Sequence, residues 1–408
     1  MSVRTTLGVL LLLLPGAATA LVACSSSSAG SGGSPDASEG SVFDTGGPGP
    51  GDASLDQTAA TDGSGDTGAA PGDAGSGFPD GSGFSGDCGV GDAGEPTGLR
   101  CAGLYSDWAS KTVAADLTRY DPGLHLWSDG ADKTRWIYLP PGQQIDTSDM
   151  DEWTFPVGTK IFKEFSLPQG DASPGMRIET RLLWKQDPKT WYRTTYAWTA
   201  DGVSDATEMT DGQLDAGGTG YEIPNQEECD ECHKGRRDGV LGFEAVSLSS
   251  PGASGITMAT LLSQGLLTAP PGAPITIPGD AVQSAALAYL HANCGTACHN
   301  RGNGEAAQTS FYMRLDLATL GSVQATDTYT TGWNQQAQNF NIPDAGTTDR
   351  LSACNTSSSC VYFRASRRSL VDGVPYGVQM PPLDTHRVDD AGLAAIAAWI
   401  NEGCDGGP

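Results

Sequence analysis

Basic side chains are scarce in this sequence: 23 Lys and Arg stand against 49 Asp and Glu, a net charge of −26. A surplus of that sign repels phosphate and anionic lipid at long range, which argues against nucleic-acid binding and steers cationic partners in. Long apolar runs are lacking as well. The run at residues 7–14 is short and close to the N-terminus, and no later stretch approaches the roughly 20 apolar residues that a bilayer span requires. Residues 25–87 contain no Lys or Arg, and their only aromatics are Phe43, Phe78 and Phe84. Such a stretch cannot bury enough apolar surface to offset its ordering entropy.

What is there begins with Arg4, the apolar run and a small-residue approach, which together predict an export signal over residues 1–23. It ends in Leu21, Val22, Ala23 and Cys24, which resembles a bacterial lipobox. The resemblance implies cleavage before Cys24, lipidation of its sulfur and, with Ser25 following, sorting to the outer membrane. Membrane attachment is then through the lipid alone. Residues 24–87 read as a Gly/Ser/Asp linker holding ten of the acidic residues, so part of the net charge describes a tether. A coil of about 63 residues has an end-to-end distance on the order of 45 Å.

Export places the ten cysteines in an oxidising compartment. Besides Cys24, four stand in pairs beside a histidine: Cys229 and Cys232, Cys294 and Cys298. Cys88 with Cys101, and Cys354 with Cys360, are close enough in sequence to close small disulfide loops, which leaves Cys404 odd.

Residues 88–225 read as a β-sandwich module. Runs such as T-R-W-I-Y-L, T-K-I-F-K-E-F and W-Y-R-T-T-Y-A-W-T alternate polar with aromatic or β-branched residues between turn signals. Residues 103–225 hold seven of the nine tryptophans, read as core, and no triad, phosphate loop or paired carboxylates are legible among them. Residues 226–279 form a connector. From Asp280 a helical period appears at Val282, Ala285, Ala286, Tyr289 and Leu290. A second helical stripe, Leu393, Ile396, Ala397 and Ile400, follows Asp389. The fold class expected is α+β multidomain: an N-terminal β-sandwich, then a mostly α-helical domain over 280–408.

C-D-E-C-H at 229–233 carries the chemistry. Thiols at i and i+3 add across the two vinyl groups of a haem while the adjacent His233 reaches the iron from the same side. A disulfide pair and half of a four-cysteine zinc site are the competing readings. N-C-G-T-A-C-H-N at 293–300 has one residue too many between its cysteines, which lengthens the reach between the thiols. Met380, in Met-Pro-Pro before the last helix, is a candidate soft axial ligand. Met258, His291, His125 and His386 are the candidates for the far side of the first iron.

The run A-L-A-Y-L-H-A-N-C-G-T-A-C-H-N, then Q-M-P-P-L-D, then a helix ending A-A-W-I, resembles a class I cytochrome c domain. L-W-S-D-G-A-D-K-T-R-W-I-Y-L-P, W-T-F-P-V-G-T, E-T-R-L-L and the first motif followed by V-L-G-F resemble a family of exported bacterial proteins that place a β-rich module before such a cytochrome. The resemblance spans residues 103–403. It implies two c-type haems, with Cys294 and Cys298 as thioether anchors, His299 as proximal ligand and Met380 as distal ligand. The family has two residues between those cysteines where this chain has three, which puts the second thioether in question.

The expectation is a tethered electron-transfer cytochrome, a carrier rather than a catalyst, serving a redox partner protein. Two alternatives remain: a dihaem oxidoreductase of peroxidase type with an open first haem, and a surface binding protein whose tryptophan-rich module holds a polymer.

Overall fold

The computed structural model describes residues 89, 91 and 94–405, apart from 170, 172, 339 and 369–376. The export signal, Cys24, the linker and Cys88 lie outside the described residues. Where aromatic and β-branched residues alternate with polar ones, the chain is extended: β1 (Tyr105–Asp107), β2 (Thr112–Val113), β3 (Thr118–Asp121), β4 (Asp132–Tyr138), β5 (Lys160–Ser166), β6 (Arg177–Lys185), β7 (Trp191–Trp198), β8 (Ala206–Glu208) and β9 (Ser254–Gly255). β1 and β2 pair with each other. The rest form one seven-stranded antiparallel sheet, ordered β8-β7-β6-β5-β4-β3-β9.

The expected sandwich is therefore corrected to one seven-stranded sheet and a two-stranded hairpin, and burial gives the reason. A sandwich strand buries one side and wets the other, whereas the central strands here bury both. Trp136, Phe162, Leu182, Trp184, Tyr196 and Trp198 pack on one face with Leu104, Tyr105 and Trp108. Ile137, Ile161, Leu183 and Trp191 pack on the other with Phe243, Leu248, Met258 and Leu261. Hairpin, loops and short helices cover both faces. Of the tryptophans in 103–225, all but Trp127 are less than a tenth exposed, so they are core and leave little aromatic surface for a polymer.

The mostly helical C-terminal domain is corrected too. The protein is 26% helix and 19% strand, and its helices are mostly short. They are α1 (Gln226–His233), α2 (Ala245–Ser249), α3 (Met258–Ser263), α4 (Ala281–Leu290), α5 (Asp327–Gly332), α6 (Cys360–Ala365) and α7 (Asp390–Glu402). Between α4 and α7 the chain is rich in Gly, whose backbone entropy disfavours helix, and in Asn, Thr, Ser and Asp, whose side chains bond to local backbone and favour turns. α4 and α7 form where the apolar period lies, capped by the carboxylates of Asp280 and Asp389. They meet at Gly392, where a Cβ would come within 1.9 Å of the Tyr289 ring. Leu287, Leu290, Ile396, Trp399 and Ile400 are sealed beneath.

The described residues all belong to one compact unit, Asp73–Pro408. The connector is integral to it, since β9 pairs with β3 at the edge of the sheet. Among the described residues no helix is long and apolar enough to cross a membrane.

Cys354 bonds to Cys404, not to Cys360, which stays a free thiol. The end of α7 returns over the 352–355 turn, where the Cys354 amide donates to the Ile400 carbonyl at 2.8 Å, so the nearer cysteine in space is the farther in sequence. Cys101 is also disulfide-bonded. The Cys354–Cys404 bond spans 50 residues, which in the chain-entropy view contributes about 4 kcal/mol. Cys404→Ser is expected to lower the unfolding midpoint in scanning calorimetry by an amount equivalent to about 2–4 kcal/mol, and Cys360→Ser to leave it nearly unchanged.

Candidate metal and cofactor site

Asn225 and Glu228 close a capping box that starts α1, and the helix carries C-D-E-C-H along its length. Asp230, inside the motif, pairs with Arg193 of β7, which holds the helix against the sheet. His233 is the last helical residue and is buried. Its Nδ1 faces the Gly239 carbonyl. A carbonyl can only accept, so Nδ1 carries the proton and Nε2 is left bare, the tautomer that ligates a metal. His299 is wired in the same way: its Nδ1 donates to the Phe311 carbonyl at 3.0 Å. Burial, aided at His233 by Lys163, pulls the two imidazoles down to about 3 and about 4 respectively, so both stay neutral.

The extra residue of the second motif has a structural account. α4 does not stop at Leu290; it continues as a π-turn, His291–Gly295. The amide of Thr296 donates to the His291 carbonyl at 2.9 Å, and that of His299 to the Cys294 carbonyl at 2.8 Å, both five residues back. In α1, His233 follows Cys229 by one α-helical turn; here His299 follows Cys294 by one π-turn. The wider turn absorbs the insertion, so each histidine stands one turn beyond its first cysteine.

The four motif cysteines are free thiols. Burial pushes Cys232 and Cys294 up to about 12 and Cys298 to about 11, and raises Cys229. Among the described residues, the one group of three or more metal-binding side chains with donor atoms within 4.8 Å of one another is Glu222, Glu228 and Asp384, with no cysteine in it. The zinc alternative therefore has no geometric support.

The two motifs are neighbours. At Gly235, just past α1, a Cβ would lie 1.9 Å from the Ala297 carbonyl oxygen inside the second motif. Lys234 adds ion pairs to Glu231 and Glu305. The loop at 149–153 holds both: Glu152 accepts from the Arg237 amide at 2.9 Å and pairs with Arg236 and Arg314, and Asp151 accepts from the Leu317 amide at 3.0 Å.

Met380 is half-buried on the segment after α6, where its amide donates to the Arg364 carbonyl at 3.0 Å. The Arg364 guanidinium donates to the Val378 carbonyl at 2.9 Å and its charge also helps to lower His299. The other candidate ligands are engaged elsewhere. Met258 is core. His291 Nδ1 accepts from the Leu315 amide at 2.9 Å, with Nε2 3.4 Å from Glu244. His125 pairs with Asp121 at 2.9 Å and His386 with Glu222 at 2.7 Å.

Sequence reasoning missed two features near the first motif. One is Asp384, which burial, reinforced by Glu228 and Glu222, pushes up to about 7; its Oδ1 is buried without a partner. The other is Lys163, held at about 7 by burial and by Arg135 and Arg181. With Arg135, Leu241, Gly242, Ala292 and Thr296 it lines a cavity of about 20 Å³, between the loop after His233 and the second motif. Its signal was strand parity: Lys163 is in phase with the core residues Ile161 and Phe165.

No family model, curated protein or solved structure matches this chain.

Gly235→Ala is expected to force the motifs apart and cost about 2–3 kcal/mol, the range for overpacking against rigid backbone, read by denaturant unfolding. Glu244 yields a pH test. Burial opposes its charge, but His291, Arg236 and the Ser247 side chain outweigh this and hold its carboxyl well below 4.5. Its stabilisation is thus full above about pH 4.5 and drains as pH falls. Glu244→Gln should cost about 2 kcal/mol at pH 7, and the gap from wild type should shrink from pH 5 to pH 3.

Proposed function

We propose that this protein is an exported electron carrier holding two c-type haems, one on Cys229 and Cys232 with His233, the other on Cys294 and Cys298 with His299. The observation that carries the reading is the shared wiring of the two histidines. Each follows its first cysteine by one helical turn, ties Nδ1–H to a backbone carbonyl and keeps Nε2 bare. The open thiols add to it, since other cysteines of the same chain are oxidised. A thioether is uncharged, so it suits these buried positions as a thiolate does not.

Haem supplies a one-electron iron couple. The protein's part is to hold two such groups side by side, as the Gly235–Ala297 contact would, and to set their ligands. Met380 is proposed as the second ligand of the haem at His299, where a thioether favours the ferrous state. Lipidation at Cys24 and the acidic linker would tether the carrier to the outer membrane while letting it reach a redox partner protein.

One observation favours the oxidoreductase alternative. The candidate partners for His233 are bonded or packed elsewhere, and Asp384, titrating near 7, lies within electrostatic range of Cys229 and Cys232. An open iron beside a proton-exchanging carboxyl suits peroxide chemistry. A high-spin signal in the oxidised protein identifies that reading, and purely low-spin signals identify the carrier.

Mass spectrometry of protein made with cytochrome maturation machinery is expected to show two haem masses retained after denaturation. Met380→Ala should abolish the sulfur-to-iron charge-transfer band at the red end of the visible spectrum. A colourless product, or pigment wholly extracted by acidic acetone, refutes the attachment reading.

A further inference from the structure

On the sheet face that carries α1, three cations stand directly opposite one another across three strands: Arg135 on β4 faces Lys163 on β5, which faces Arg181 on β6. Directly paired side chains have Cβ atoms about 5 Å apart, and like charges so placed repel. The outer two have their own carboxylates: Arg135 pairs with Asp121 at 3.0 Å and Arg181 with Glu179 through two hydrogen bonds. Lys163 has no ion pair and no hydrogen bond among the described residues. Lys133, two residues before Arg135 on the same face, donates to the Leu126 carbonyl and lies over the Phe165 ring. Four basic side chains thus stand together, two of them paired with the carboxylates of Asp121 and Glu179. The row continues into Tyr120 opposite Arg135 and Thr195 opposite Arg181, and the hydroxyls of both are buried without a partner.

A half-buried, unpaired lysine flanked by two arginines, with an orphaned hydroxyl at each end of the row, is unfavourable by itself. It becomes favourable against an anion. The proposed haem on Cys229 and Cys232 bears anions, and its attachment helix is tied to this sheet by Asp230 and Arg193. A haem carries two carboxylates, which an unpaired Lys163 would face. We propose that Lys163, supported by Arg135 and Lys133, is the counter-charge to the carboxylates of that haem and sets its reduction potential. The proposal rests on the reading of residues 229–233 as a haem attachment site. Lys163 acts as a positioning and field-setting residue: its charge destabilises the more positive oxidised iron and so raises the potential.

The test uses the full-length, matured protein. Lys163→Met removes a side chain that has no ion pair and no hydrogen bond among the described residues, so folding and both covalent haems should survive, as counted by mass. In a redox titration the ferric-to-ferrous equilibrium of one haem should move at least tenfold toward ferric, which is about 59 mV for one electron, while the other stays put. Lys163→Gln should shift it in the same direction, and Lys163→Arg should restore most of the wild-type value. Both haems retained with unchanged potentials in the Met and Gln variants overturns the proposal and leaves the attachment reading intact. Wild-type protein without haem at Cys229 and Cys232 overturns both. A wild-type potential that changes with added inorganic phosphate would assign the row to a free anion and overturn the haem-carboxylate assignment.

Discussion

The backbone at Gly235 lies so close to the Ala297 carbonyl that a single added carbon would collide with it. Much of the site's geometry follows from that approach. It sets the end of α1 against the second motif and brings Lys234 within reach of Glu305. It also requires the β-rich half to close over both motifs, which it does through Asp151 and Glu152. Segments that are far apart in sequence thereby become one packed unit, and two haems on this frame would be neighbours whose separation is set by backbone contact rather than by mobile side chains.

Charge in this protein is divided by location. The chain as a whole is strongly acidic, which suits solubility and attraction of cationic partners, yet one interior face of its sheet gathers Lys133, Arg135, Lys163 and Arg181. A fold that needed only stability would fill those inward positions with Val or Leu, as it does one residue pair away at Ile161 and Leu183. The contrast with Glu244, whose buried charge is matched by two amides and His291, shows how the same fold treats a charge that serves structure alone.

Local features were legible in the sequence because local physics produces them. The cysteine and histidine spacing of 229–233, the Asp280 and Asp389 caps, the apolar stripes of α4 and α7 and the strand-forming runs could each be read within a dozen residues. Assembly was not legible at that range. The strand runs read as a β-sandwich because polar and apolar residues alternate along them, whereas both parities of the central strands proved buried. The polar stretch between α4 and α7 was read as part of a helical domain on the strength of its two ends. Cys354 was matched to the nearer Cys360 because sequence distance hides where the end of α7 returns.

What the sequence determined by itself is chemistry whose partners lie within one helical turn: paired thiols with their adjacent imidazole, caps and apolar periods. What only the tertiary structure decided is everything fixed by non-local packing. That includes the single sheet, the Cys354–Cys404 bond, the closeness of the two motifs and the carbonyls of Gly239 and Phe311 that choose each histidine's tautomer. The division has a physical cause. Helix turns and caps are set by bonds between residues three to five apart, whereas sheet faces, disulfides and buried charge rows depend on which distant segments exclude water together.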